Sequence, residues 1–215
     1  METPEKESCH RRQPEEISAP YQLIVEGKDD KYFFEAFLEN SRISGVQIHS
    51  LDGKNNLNDF LKAFALTPGF YIVKAIGIIR DSNSNPKASF QSVQTALANA
   101  GLPVPEKEIT PTGEKPRVSI LMIPGIEERG SLEALCLQAV SDRPAVSCVE
   151  SYIDCLKRNK LKFQPNIYKA KLQAFLASLE EYTRDLGIAA QKSVWPFTSP
   201  AFNRIRDFLF RLVSD

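Results

Sequence analysis

The chain of 215 residues carries 27 basic and 27 acidic side chains, so no net charge draws it to nucleic acid or to an anionic surface. Apolar residues make up 42% and charged residues 25%, which excludes a globally disordered chain and supplies enough material for one large core. No apolar stretch is long enough to span a bilayer, and residues 1–20 lack the apolar segment of a secretory leader.

Residues 1–20 are rich in charge and contain Pro4, Pro14 and Pro20, and read as a flexible tail. Its His10-Arg11-Arg12 is too short a cluster to argue for phosphate binding. Residues 21–26 form a short apolar run and the first expected strand. Apolar positions over 29–40 recur at helical spacing. A second strand is expected over 46–50. A turn over 51–56 follows, and Asn56 or Asn58 is placed to cap a helix running to about residue 66. Residues 71–80 are nearly continuous in apolar character apart from Lys74, as in a central strand covered on both faces. A polar loop over 81–86 leads to a helix over 88–100, with Phe90, Val93 and Leu97 on one face and Gly101 as its stop.

Residues 102–117 carry Pro103, Pro105, Pro111 and Pro116 and read as a long loop. The fourth strand, 118–123, stops at Pro124-Gly125, and Gly130-Ser131-Leu132-Glu133 opens a helix. Strands alternating with helices predict an α/β fold: a mostly parallel sheet of about four strands with helices on both faces. Beyond residue 145 the strand signals vanish, and 148–158, 168–182 and 201–213 show helical periodicity. The expected organisation is a tail (1–20), an α/β domain (21–140) and a helical C-terminal extension (141–215) packed on it. Cys9, Cys136, Cys148 and Cys155 form no C-x-x-C pair, so reduced thiols in a cytoplasmic protein are expected, with Cys136 in the core.

Three acidic sites fall at expected strand ends. Glu26 follows Leu23-Ile24-Val25, and Asp30 lies about one helical turn further on, so both reach one point above the sheet edge. Asp81 and Asn83 follow the third strand, and Glu133 stands beside Ser131 after the fourth. Hard oxygen ligands gathered at one edge invite a divalent cation. Capping is the plainer explanation for Ser131, Glu133 and Asp30, because acids and hydroxyls favour helix N-termini. It does not serve for Glu26, since a carboxylate straight after a buried strand is costly unless paired or bound. His10 and His49 offer no nucleophilic chemistry, and no Walker or G-x-G-x-x-G loop is present.

Glu26-Gly27-Lys28-Asp29-Asp30 after an apolar strand, then a strand ending in Asp81-Ser82-Asn83, then Ser131-Leu132-Glu133, together resemble the TOPRIM domain. They resemble most the form found in overcoming-lysogenization-defect (OLD) nucleases. The likeness covers roughly residues 21–140. A likeness to a stand-alone bacterial TOPRIM-like family reaches further, through Lys169-Ala170-Lys171. The resemblance implies a TOPRIM/Rossmann-like fold and a nuclease that uses Mg2+ or Mn2+. It implies Glu26 as ligand or general base, and Asp30, Asp81, Asn83 and Glu133 as ligands. Ser131 and Gly27 would act in support, and Lys171, or second to it Lys169, would offset phosphate charge. A solvated helix face is the plainer explanation for both lysines. Where the family carries a second aspartate this chain has Asn83, which brings no charge. A phosphodiester hydrolase acting on nucleic acid is therefore weighed against two other readings. One is a module with degraded catalysis that binds nucleic acid or a protein partner. The other is an interaction protein whose acids are only caps.

Overall fold

Leu23, Ile24 and Val25 are all buried at successive positions, which an extended chain achieves only between two apolar layers. They lie in β1 (Tyr21–Val25), an inner strand of an all-parallel sheet. The order is β2-β1-β3-β4, with β2 at Val46–Ser50, β3 at Ala75–Asp81 and β4 at Arg117–Ile123. The molecule is represented by a computed structural model that describes residues 15–51, 57–162 and 164–214. In register, Leu23 lies opposite Ile48 on one side and Gly77 on the other, and Ile79 lies opposite Leu121.

Alternation along each strand divides the core in two. Leu23, Val25, Ala75, Ile79, Leu121 and Ile123 face one layer, together with the phenylalanines of α1 (Lys28–Asn40) and residues of α4 (Leu132–Ala139). Ile24, Ile76, Ile78, Val118, Ile120 and Met122 face the other, covered by α2 (Leu57–Phe64) and α3 (Pro86–Asn99). The expected α/β fold, with helices on both faces of a parallel sheet, is thus present. Asn85 opens α3, its side-chain oxygen accepting from Ala88 N–H at 3.1 Å.

The helices beyond residue 141 join the first layer. They are α5 (Pro144–Arg158), α6 (Ile167–Ala177), α7 (Leu186–Gln191) and α8 (Asn203–Val213). Phe208 and Leu212 of α8 press on β3 at Gly77, where an added Cβ would stand 3.1 Å from both side chains. Trp195 stacks on Phe175 and donates its indole N–H to Leu186 O at 3.1 Å. One continuous core therefore joins the C-terminal helices to the sheet. Among the described residues no helix is long and apolar enough to cross a membrane.

Several expectations shift. The third strand begins at Ala75, not at residue 71, because Gly69 at φ +89° turns the chain into a 3-10 turn over Phe70–Ile72 and leaves Tyr71 exposed. The helix expected over 168–182 stops at Ala177, where Ser178 Oγ donates to Phe175 O, and α7 was not foreseen. Asn58 lies inside α2 and its amide donates to Asp59, so it is not a cap. Asn56 and the turn after Leu51 fall outside the described residues, as do residues 1–14. Residues 15–20 are not a free tail. Ile17 is buried, Ser18 N–H donates to Gln47 Oε1, and Lys74 N–H donates to Pro20 O. The proline-rich loop is docked along the outer edge of β4. Ile109 N–H donates to Ile120 O, and the Glu108 carboxylate accepts from Met122 and Ile126 N–H at 2.8 and 3.0 Å.

Candidate metal centre at the strand ends

From β1 the chain goes to β2 on one side and then crosses to β3 on the other, so the strand order reverses between β1 and β3. In parallel α/β sheets the crevice at the carboxyl ends of such a pair is where ligands bind. Glu26 follows directly on the first of these strands and Asp81 ends the second.

Each carboxylate is fixed by its local backbone. Glu26 Oε1 accepts from Asp81 N–H at 3.1 Å and pairs with Arg80 Nε at 3.1 Å. Asp30, in the first turn of α1, accepts from the N–H of Gly27 at 3.0 Å through Oδ2. A Cβ on Gly27 would meet only that oxygen, at 3.9 Å, so space alone does not demand glycine there. Asp81 Oδ1 accepts from Leu132 N–H at 3.0 Å, tying β3 to the first turn of α4. Glu26, Asp30 and Asp81 line a single cavity of about 10 Å³ with Val25, Phe34, Ile79, Ile123 and Leu132. That is about the room one water molecule needs.

The electrostatics follow from this enclosure. Burial is the first cause that pushes Asp30 up from 3.8 to about 7; the charges of Glu26, Glu133 and Asp29 add to it, and the Gly27 hydrogen bond opposes it. Asp81 lies well above the ordinary carboxylate range, through burial first and then through Asp30, Glu26 and Glu133. Glu133, in the first turn of α4, thus acts on both aspartates without lining the cavity. Ser131 occupies the N-cap position of α4 but makes no cap bond; its Oγ is buried without a hydrogen-bond partner among the described residues.

Asn83 takes a different part from the one expected of a ligand. It sits at φ +52°, its side-chain amide donates to Asp81 O at 2.9 Å, and its N–H donates to Gly130 O. Asparagine tolerates this left-handed turn well, and the residue lies outside the cavity lining. Lys171 is committed to Glu150, with Nζ 2.6 Å from Oε2. Lys169 is instead the lysine whose charge acts on Asp29, opposing the upward push of burial and of Asp185, and Arg184 acts with it. The N-terminus of α7 reaches this rim, where a Cβ on Gly187 would stand 2.6 Å from Asp29 O. Sequence reasoning gave Arg80 and Arg184 no role at the site. A charged residue straight before Asp81, at the end of Ile76-Gly77-Ile78-Ile79, is the signal that marked Arg80.

The donor set fits a hard divalent ion: oxygen ligands only, from the β1–α1 junction and the end of β3, around a space of atomic size. Among the described residues no three Asp, Glu, His or Cys side chains form a ready-made cage. His49 and Cys136 stay out of the chemistry. His49 Nε2 lies 2.7 Å from Gln22 Oε1, and burial pulls the imidazole down to about 4, so it is neutral. Cys136 is fully buried, and burial pushes its thiol up.

Fold and site together define an α/β protein with a cluster of strained carboxylates at its switch point. The chain belongs to a protein family of unknown function, DUF3226, whose model matches residues 20–214. No curated protein and no solved structure matches it significantly.

Proposed function

We propose that this protein is a divalent-metal-dependent phosphodiester hydrolase of the nuclease-like kind, acting on nucleic acid. The observation that carries the reading is the convergence of Glu26, Asp30 and Asp81 on one water-sized cavity at the strand switch point. Asp30 and Asp81, whose proton affinity is raised by burial first and by neighbouring acids second, are placed to exchange those protons for a cation. Glu26, Asp30 and Asp81 would hold Mg2+ or Mn2+, with Glu133 at the rim. Bound there, the ion would supply an activated water and stabilise the departing oxygen of the broken P–O bond. The protein's own part is to orient Glu26 through Asp81 N–H and Arg80, and to fix Asp81 through Leu132 N–H. Lys169 and Arg184 bring positive charge to the rim where a phosphodiester would lie. The free cysteines Cys136, Cys148 and Cys155 support a cytoplasmic location.

Asn83 favours a second reading. With its amide turned onto Asp81 O it adds no charge to the site, as in a TOPRIM-like module that has lost catalysis and keeps binding. Calorimetric titration with Mn2+, followed by cleavage of a labelled oligonucleotide, separates the two. Hydrolysis requires saturable Mn2+ binding, with both binding and cleavage lost in Asp81→Ala. Oligonucleotide binding that is indifferent to metal and to Asp81→Ala would establish the binding module instead.

A further inference from the structure

The balance of charge over the whole chain does not hold locally. Residues 155–179 carry Lys157, Arg158, Lys160, Lys162, Lys169 and Lys171 and no acid, in a chain whose totals cancel. Lys171 is held by Glu150 and Lys157 by Asp154, and among the described residues the other four form no salt bridge. Tyr168 and Lys169 stand in the first turn of α6, where the Asn166 side chain accepts from both their N–H groups at 3.1 and 3.2 Å. They therefore sit at the end of α6 where this basic connection enters. Packing carries α6 and α7 to the acid cluster. α6 lies on α4, which opens with Glu133, and α7 lies on α1, which opens with Asp29 and Asp30. A Cβ on Gly187 would stand 2.6 Å from both Asp29 O and Tyr32 Cβ, so the chain entering α7, with Tyr182 and Arg184, runs along this rim. Both rings stand in solvent, Tyr182 with 66% and Tyr168 with 37% of its surface exposed.

We propose that this surface, Tyr168 and Lys169 on α6 with Tyr182 and Arg184 before α7, binds an unpaired nucleic-acid strand and leads it to the acid cluster. The tyrosines stack on bases and the cations take the phosphates beside them. Two arguments choose a single strand over a duplex. An aromatic ring stacks only on a base whose face is free, and in a duplex those faces are covered. A duplex also presents one phosphate charge per ~1.7 Å of its axis and so asks for a wide basic footprint. Here the free cations gather at one end of a helix pair, in a chain with no net charge. The inference deepens the hydrolase reading by naming its substrate class, and it rests on that reading for delivery of the strand to the acids. The binding itself needs no metal.

The test is fluorescence anisotropy on the full chain in EDTA, with a labelled oligothymidylate of about 20 nucleotides and a hairpin duplex of equal length. The single strand is expected to bind about tenfold tighter than the duplex, or more. Tyr182→Ala should weaken it by about fivefold or more, while Tyr182→Phe, which keeps the ring, should match wild type. Lys169→Ala should reduce the slope of log affinity against log salt by ~0.7. Failure to bind the oligothymidylate overturns the proposal, and so does equal or tighter binding of the duplex. So does a Tyr182→Ala protein that binds like wild type; this exposed side chain is not needed for folding. Binding to phosphatidylserine vesicles in place of the oligonucleotide overturns it as well. Single-strand binding with this pattern but without Mn2+-dependent cleavage upholds the surface and removes the hydrolase reading. Mn2+-dependent cleavage confined to the duplex upholds the hydrolase and removes the surface.

Discussion

Asp30→Asn in metal-free protein probes the stress at the site directly. Asparagine keeps an oxygen for the Gly27 N–H and removes the charge. In the folded state Asp30 binds its proton up to about pH 7, against an ordinary 3.8. The native state therefore holds this proton more tightly than the unfolded chain. The stability it confers is complete below about pH 3.8 and is lost as pH rises towards 7. Three units correspond to ~4 kcal/mol at most, and partial solvent access reduces this to roughly 2–4 kcal/mol. At pH 8 with chelator present, Asp30→Asn should thus melt higher than wild type, by roughly 5–15 °C for a chain of this length. The gain should shrink with falling pH and vanish near pH 4. Mn2+ at a thousand times Kd should close or reverse the gap, since it adds ~4.1 kcal/mol to wild type and nothing to a variant that cannot bind. Thermal unfolding across pH, with and without Mn2+, measures all of this. An Asp30→Asn protein no more stable than wild type at pH 8 would refute the claim that the carboxylates strain one another.

His49 has the opposite sign. It is neutral in the fold with a value near 4, so stability present above about pH 6.5 should fall by ~3 kcal/mol as pH drops to 4, and His49→Gln should flatten that limb in urea titrations. Gly77→Val should lower stability by ~1–3 kcal/mol, because its Cβ already meets Phe208 and Leu212 at 3.1 Å; an unchanged urea midpoint would show that α8 does not rest on β3. If the hydrolase reading is right, Lys169→Ala should cut oligonucleotide cleavage at least tenfold. Lys171→Ala should cost only ~0–1 kcal/mol of stability through Glu150, and equal activity loss in both would dissolve the distinction between them.

The parts of the fold read correctly from sequence are those where one local rule dominates. The buried strand at 21–25, the amphipathic helix after it and the strand before Pro124 each carry their own signal, and two-sided burial is plain in Leu23-Ile24-Val25. The misread parts depend on distant partners. Tyr71 and Ile72 look like strand but turn at Gly69, and the docking of Ile17 there cannot be seen from residues 15–20 alone. Helix α7 has six residues, too few for a period to emerge. At the site, Glu26 and Asp81 announce themselves by following apolar runs. Lys169 and Lys171 are alike in sequence, and only the position of Glu150 on α5 separates them.

The cost of the acid cluster explains why it stands where it does. Carboxylates enclosed together oppose folding at neutral pH, and a small domain could not tolerate several kcal/mol of that. Here the C-terminal helices extend one layer of the core, so that Phe175, Trp195, Phe208 and Leu212 share it with Val25, Ile79 and Ile123 under the cavity. The extension also brings Lys169, Arg184 and Asp185 to the rim. One set of helices thus supplies both the apolar burial that offsets the strain and the charged groups that flank it. A structural role alone would be met better by neutral residues at positions 26, 30, 80 and 81. Keeping three carboxylates there makes sense if a cation, at the moment of binding, turns their mutual repulsion into affinity.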